Sequence, residues 1–159
     1  INMIYEGTNT IQSLDLLARK VLADNGAKLR RFGAKVQAFA EANAGDPRMA
    51  AFIAPLADLG DKLGKLTMEI GMKAQQDRDE AGAAAVPYLR VVGHWAFAYF
   101  FARIARVALD RAEGGDDFCR AKLAVARFYV ERLLPETAML IRQARSGAGS
   151  LMAMDETLF

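Results

Sequence analysis

Apolar residues between positions 49 and 70 recur at intervals that alternate between three and four. They are Met49, Phe52, Leu56, Leu59, Leu63, Leu66 and Ile70. This is a heptad spacing, which brings all of these side chains to one face of an α-helix. It predicts a helix over 47–79 that packs at a shallow angle on its neighbours in a bundle, in preference to a free coiled-coil dimer. Pro55 lies inside the repeat, and we expect it to kink or interrupt the helix.

The rest of the chain shows helical periodicity in further segments, separated by turns that contain glycine. These predict helices over 9–25, 27–43, 84–113 and 117–145. The 84–113 segment is apolar around most of its circumference, so we expect it at the centre of the bundle, with Pro87 in its first turn. Pro135 should kink the last helix. Because no segment has a convincing strand pattern, the predicted fold is an all-α, up-and-down bundle of about five helices.

The composition is that of a globular protein, with 53% apolar and 25% charged residues. The formal net charge is only +2, which argues against a nucleic-acid partner or an anionic membrane surface. The most apolar stretch, at 91–102, is about half a membrane span in length, so no transmembrane segment is predicted. Cys119 is the only cysteine, which excludes an internal disulfide and suits a cytoplasmic protein.

Residue types that carry chemistry are scarce beyond residue 26. His94 is the only histidine, and its aromatic and apolar sequence neighbours indicate a structural role. The chain has no Cys-x-x-Cys or His-Glu-x-x-His pattern, so no metal site is expected. Cys119 has no histidine in its own segment to activate it, and we expect it to be buried filler. This part of the chain therefore predicts packing and not catalysis.

The opening segment has a different character. Residues 2–12, NMIYEGTNTIQ, are mostly polar and surround Gly7. Taken by themselves, they indicate a turn in which Thr8 or Asn9 caps the first helix. A glutamate, Glu6, stands at the centre of this segment.

The stretch IYEGTNTIQSLDLLARK resembles the C-terminal signature of flavin-dependent acyl-CoA dehydrogenases, in which an Ile-Tyr-Glu-Gly-Thr loop precedes an Ile-Gln helix. Residues 4–8 match the loop in order, and Ile11 and Gln12 follow at the family distance. Residues 27–159 resemble an extra helical domain that follows the catalytic core in a larger subset of the family, and 83–105 is the most similar part. The chain thus resembles the C-terminal portion of such an enzyme.

This resemblance implies two domains and a set of site residues. Residues 1–25 would end the catalytic core, with its active-site loop and last helix, and 27–159 would form the appended bundle. In the family, the loop glutamate removes the Cα proton of an acyl-CoA thioester, and the β hydrogen passes as hydride to FAD. Here the base would be Glu6, with Gly7 letting the thioester approach the backbone and Tyr5 lining the acyl pocket. The positions that would contact FAD are Thr8, Asn9 and Thr10, of which Thr10 departs from the glutamine of several members.

The resemblance also implies the partners. The parent enzyme would bind an acyl-CoA substrate and an electron-transfer acceptor, and would form a homo-oligomer, while the fragment alone would be inactive and would hold no FAD. The alternative interpretation is a non-catalytic helical module that serves assembly or docking. The two are compatible, because 27–159 could be such a module within the enzyme.

Overall fold

The computed structural model describes the backbone of residues 2–158 and the side chains of 8–155 and 157–158. The α-helices are α1 (Asn2–Leu14), α2 (Ala27–Asn43), α3 (Ala50–Gln76), α4 (Asp79–Glu113), α5 (Asp117–Phe128), α6 (Glu136–Arg145) and α7 (Gly149–Met152). Two π-helical turns (Asp15–Val21 and Tyr129–Leu133) and three 3₁₀ turns (Leu22–Asp24, Pro47–Met49 and Glu156–Leu158) complete the chain. Residues 2–158 contain no β-strand, which confirms the predicted all-α class.

The heptad residues at the start of α3 and along it are buried in the core, on one face of the helix, as the spacing predicted. All of them, from Met49 to Ile70, are at most 3% exposed. Asp46 caps the preceding 3₁₀ turn by accepting a hydrogen bond from the Arg48 backbone N–H at 3.0 Å. The expected interruption at Pro55 does not occur, since α3 runs unbroken through it. Proline removes one backbone hydrogen bond there, and the buried side chains of Phe52 and Leu56 on either side hold the helix together.

The longest helix, α4, contacts α1, α3, α5 and α6, and so takes the predicted central position. It begins at Asp79 and not near Ala84, so Pro87 lies in its third turn and not in its first. The earlier start has a local cause. Asp77 accepts a hydrogen bond from the Asp79 backbone N–H at 2.9 Å, and the acidic residues of the first turn favour the positive end of the helix dipole.

The predictions for the two ends of the bundle need correction. Residues 2–12 are not a turn, because α1 is helical from Asn2 onward. The segment has no proline, and one glycine costs a helix only about 1 kcal/mol relative to alanine, so little opposes helix formation. The helix predicted over 117–145 is interrupted by the π-helical turn and by Pro135, after which α6 starts afresh.

The segment after α1 joins the same core as the rest of the bundle. Leu17 and Val21, in the first π-helical turn, are at most 3% exposed and belong to the hydrophobic cluster of α3 and α4. A left-handed pair, Asn25 and Gly26, with φ of 53° and 76°, then reverses the chain into α2. This arrangement positions α1 against the side of α4.

Candidate functional site

The candidate catalytic segment lies on α1. The backbone at Tyr5, Glu6 and Gly7 is helical, and the side chains of these residues lie outside the described part of the structure. The three predicted cofactor-contacting residues follow directly, and each is exposed to solvent: Thr8, Asn9 and Thr10. By helical periodicity, positions 6, 9 and 10 share one face of α1. The roles assigned to these six residues therefore stay predictions.

The C-terminal half of α1 anchors this segment to the bundle. Ser13 is fully buried, and its hydroxyl donates a hydrogen bond to the Thr10 carbonyl oxygen at 2.7 Å. Two residues later, the Asp15 carboxylate lies 2.6 Å from the Lys20 ammonium and 3.3 Å from the Arg19 guanidinium. The hydrogen bond from Lys20 is the main reason why the pKa of Asp15 is lowered. The buried Ser13 places the end of α1 in the core, whereas the Asp15 ion pairs lie within the following π-helical turn.

A second polar cluster, which we call the His94 cluster, consists of Arg90, His94, Tyr129 and Glu136. The His94 Nδ1 atom lies 2.8 Å from the Tyr129 hydroxyl, which is also within 3.3 Å of the His94 carbonyl oxygen. The Nε2 atom lies 3.8 Å from a Glu136 carboxylate oxygen, and Arg90 donates a hydrogen bond to that same carboxylate. The cluster joins α4 to the interruption between α5 and α6.

Burial governs the protonation of this cluster. It lowers the pKa of His94, and the positive charge of Arg90 lowers it further. Burial also raises the pKa of Tyr129 to about 12. Both groups are therefore neutral near pH 7, and they hold each other by a hydrogen bond between uncharged partners. Their contacts join one helix to the next, so the structural role predicted for His94 agrees with them.

Sequence reasoning did not find the His94 cluster. Tyr129 and Glu136 lie 35 and 42 positions after His94, and no spacing rule links residues on different helices. The signal that could have helped is Pro135, because a break in a helix next to a polar residue often marks a place where side chains from another element enter.

The described residues offer few other sites. No group of three or more histidine, cysteine, aspartate or glutamate side chains there could hold a metal ion. Within the same residues, no helix combines the length and the apolar character that crossing a bilayer requires. Cys119 is 5% exposed, and burial raises the pKa of its thiol, which keeps it protonated and unreactive.

Two crevices flank α2 where it crosses α3. The first, of about 600 Å³, has the Trp95 indole at its floor and small residues such as Gly33, Gly60 and Gly64 along its walls. The second, of about 850 Å³, continues past Gly64 towards Gly71. Apolar residues and charged ones such as Arg30, Asp61 and Glu69 line these crevices together.

Comparison with known proteins connects the bundle to a family of enzymes. Residues 32–155 match the family model described as acetyl-CoA dehydrogenase C-terminal like. The chain is 32% identical over 170 residues to the broad-specificity linear acyl-CoA dehydrogenase FadE5 of Mycobacterium tuberculosis, covering 100% of this chain and 28% of that protein. It is 35% identical over 136 residues to the 3-methylmercaptopropionyl-CoA dehydrogenase of Ruegeria pomeroyi, covering 84% of this chain and 23% of that protein. The chain thus spans about a quarter of the length of these relatives.

Proposed function

The chain belongs to the acetyl-CoA dehydrogenase C-terminal-like family, and we propose that it is the C-terminal part of an FAD-dependent enzyme that introduces an α,β double bond into acyl-CoA thioesters. The match of residues 4–8 to the loop of flavin-dependent acyl-CoA dehydrogenases carries the proposal, and the two similar dehydrogenases support it. A cytoplasmic location and a separate electron-transfer acceptor complete the proposed setting.

In this proposal, Glu6 is the base that removes the Cα proton. The proton next to a thioester is only weakly acidic, so its removal needs a carboxylate within hydrogen-bond reach, in a site from which water is excluded. Gly7, which has no side chain, leaves room for the thioester beside the backbone, and Tyr5 borders the acyl chain. The anchoring of α1 by Ser13 and Leu17 supports this role, because a general base acts only when its position is fixed.

The polar side chains of α1 are of the kind that could form hydrogen bonds with the edge of a flavin. Thr8, Asn9 and Thr10 are exposed and carry hydroxyl and amide groups that can donate and accept hydrogen bonds. When bound, FAD supplies the hydride acceptor for the reaction. A complete flavin site needs further elements, which we assign to the remaining length of the parent, since the relatives are about four times as long as this chain.

We assign residues 27–159 to packing and assembly within the parent. The polar clusters described beyond residue 26 tie helices to one another. The exposed apolar residues of α4 and α5 favour this role, because such residues are normally covered by another surface. The same observation favours the second candidate function, a helical module whose only task is docking.

Steady-state turnover of the intact parent tests the catalytic assignment. Glu6→Gln keeps the shape and the hydrogen bonding of the side chain but removes the base, so turnover of acyl-CoA should fall by roughly 10²- to 10⁴-fold. Glu41→Gln, the same change at an exposed position of α2, is the matched control and should keep wild-type turnover. Equal activity of the two variants would contradict the assignment of Glu6 and would favour the docking module.

A further inference from the structure

Among the described residues, one buried side-chain nitrogen has no hydrogen-bond partner, and its ring borders a crevice. The atom is the indole Nε1 of Trp95, a residue that is 5% exposed. A buried N–H group without an acceptor is costly, and native proteins contain few of them. The indole is part of the lining of the crevice of about 600 Å³ between α2 and α3. A bound molecule that carries an acceptor would complete the missing hydrogen bond.

Two glycines give the indole its place beside this crevice. A Cβ atom at Gly60 of α3 would lie 3.1 Å from the indole Nε1, and a Cβ atom at Gly33 of α2 would lie 3.5 Å from the indole Cη2. The ring of Trp95 therefore extends from α4 to the backbones of the two helices that form the crevice. Because glycine has no Cβ, no side chain at these two positions stands between the ring and the crevice.

The space continues along α3, away from the indole. Leu29, Arg30 and Gly64 line both the first crevice and the second, of about 850 Å³, which reaches Gly71. The helix rises about 16 Å from Gly60 to Gly71. Further apolar side chains of the second crevice are Leu22, Met68 and Met72. A space of this length, with adaptable methionine side chains in its wall, suits an extended aliphatic chain better than a compact ring system.

The charges around the first crevice disfavour an anionic head group. Its charged residues are one cation, Arg30, and two anions, Glu41 and Asp61, so their net charge is −1. The Arg30 guanidinium already donates a hydrogen bond to the Asn25 carbonyl oxygen. A carboxylate beside the indole would meet two negative charges and would lose its hydration in a largely apolar space. A neutral carbonyl group accepts the same hydrogen bond without this cost.

We propose that the two crevices form one binding site for a neutral fatty acyl ester. Its carbonyl oxygen accepts the hydrogen bond of the Trp95 indole N–H, and its chain lies along α3 past Gly64. Because Nε1 is buried without a ligand, the indole turns towards the crevice on binding, and the absence of side chains at Gly33 and Gly60 permits this turn. No described residue of α1 lines either crevice, so the proposal does not depend on the dehydrogenase assignment.

Titration of this chain with methyl octanoate, followed by proton–nitrogen correlation NMR, tests the proposal. Trp95 is the only tryptophan in the sequence, so the spectrum has a single indole signal. The indole proton should shift downfield in a saturable manner, because a hydrogen bond to oxygen deshields it. Sodium octanoate is the matched charged probe, and it should bind at least about 10-fold more weakly than the methyl ester.

Three variants locate the site. Gly64→Leu fills the junction of the two crevices and should abolish the shift. Gly93→Leu is the matched control and should respond as the wild type does, because an added Cβ there meets nothing within 4 Å and the residue lines neither crevice. Trp95→Phe keeps an aromatic ring and removes the N–H, so saturation-transfer NMR should show an affinity for methyl octanoate that is lower by about 3- to 10-fold.

Three results would overturn the proposal. The first is the absence of a saturable indole shift up to the solubility limit of methyl octanoate. The second is a shift that persists in Gly64→Leu, which would place the ester elsewhere on the protein. The third is octanoate binding that is as tight as that of the methyl ester, which would contradict the neutral class of ligand.

Discussion

The protonation of His94 sets a pH dependence of stability. Burial and Arg90 lower its pKa in the folded state from the ordinary value of 6.5. The unfolded chain therefore binds more protons than the folded one as the pH falls through 6.5. The contribution of His94 to the free energy of unfolding is complete above that pH and is lost below it.

We expect His94→Gln to flatten the change in stability between pH 7 and pH 5. The measurement is the urea midpoint at each pH. Tyr129→Phe is the control, because it removes the hydroxyl that contacts Nδ1 and leaves the titrating imidazole in place, so it should lower the midpoint at both pH values and keep the wild-type slope. If His94→Gln loses stability on acidification as steeply as the wild type, the pH dependence has another source.

Gly60 makes room for the indole of Trp95. A Cβ atom at residue 60 would lie 3.1 Å from the indole Nε1, and Trp95 is 5% exposed and held edge-on by Phe32 at a centroid distance of 5.1 Å. Gly60→Ala should therefore lower the free energy of unfolding by about 1–2 kcal/mol, although alanine is the better helix former. At Gly64 the added Cβ would meet nothing within 4 Å, so Gly64→Ala should raise it by about 0.5–1 kcal/mol. Urea denaturation of both variants measures whether the two changes in the free energy of unfolding have opposite signs. Changes of the same sign would contradict the explanation that Gly60 makes room for the Trp95 indole.

At the scale of elements, Arg48 ties the start of α3 to the end of α4. Its guanidinium lies 2.8 Å from Asp46, 2.9 Å from Asp110 and 2.9 Å from Glu113. The hydrogen bond that the Arg48 side chain donates is the main reason why the pKa of the Asp46 carboxyl is lowered to about 2. A guanidinium that is shared among three carboxylates stabilises the fold more than a single exposed ion pair does. This holds even though about a third of the Arg48 side chain is in contact with water.

Arg48→Gln should lower the free energy of unfolding, and the loss should shrink in 1 M salt, which screens the carboxylates left behind. Lys62→Gln removes an exposed i,i+4 pair with Asp58 and should change stability by no more than about 0.5 kcal/mol. Thermal denaturation at low and high salt compares the two. A loss for Arg48→Gln that is no larger than that for Lys62→Gln would show that the network acts as separate surface pairs.

The elements differ in how well the sequence predicts them. The bounds predicted for α2 agree with the observed Ala27–Asn43, and the buried face of α3 agrees residue by residue, because both depend on local periodicity and a local stop. The break between α5 and α6 was predicted only as a kink. Its extent depends on Tyr129 and Glu136 reaching His94 on another helix, which a local pattern does not contain. The turn predicted over 2–12 was wrong because Gly7 alone does not stop a helix.

At the scale of the whole molecule, the sequence predicts the family and the class of the fold, and it leaves the surfaces undecided. The motif at residues 4–8 and the apolar helical pattern of residues 83–105 are each contained in a short stretch of sequence. The resemblance to acyl-CoA dehydrogenases is therefore apparent from the sequence alone. The α4 segment was predicted to be central because it is apolar on most of its circumference. The exposed apolar residues along it became apparent only when the positions of α3, α5 and α6 showed which side they leave uncovered.

The most direct measurement of the central claim is the anaerobic reduction of the flavin in the intact parent. Acyl-CoA is mixed with wild-type or Glu6→Gln enzyme, and bleaching of the flavin absorbance is followed in time. If Glu6 removes the Cα proton, the wild type bleaches rapidly and the variant, with its FAD still bound, bleaches slower by roughly 10²-fold or more. Bleaching of the variant at close to the wild-type rate would show that another group is the base, and that the match at residues 4–8 reflects common ancestry alone.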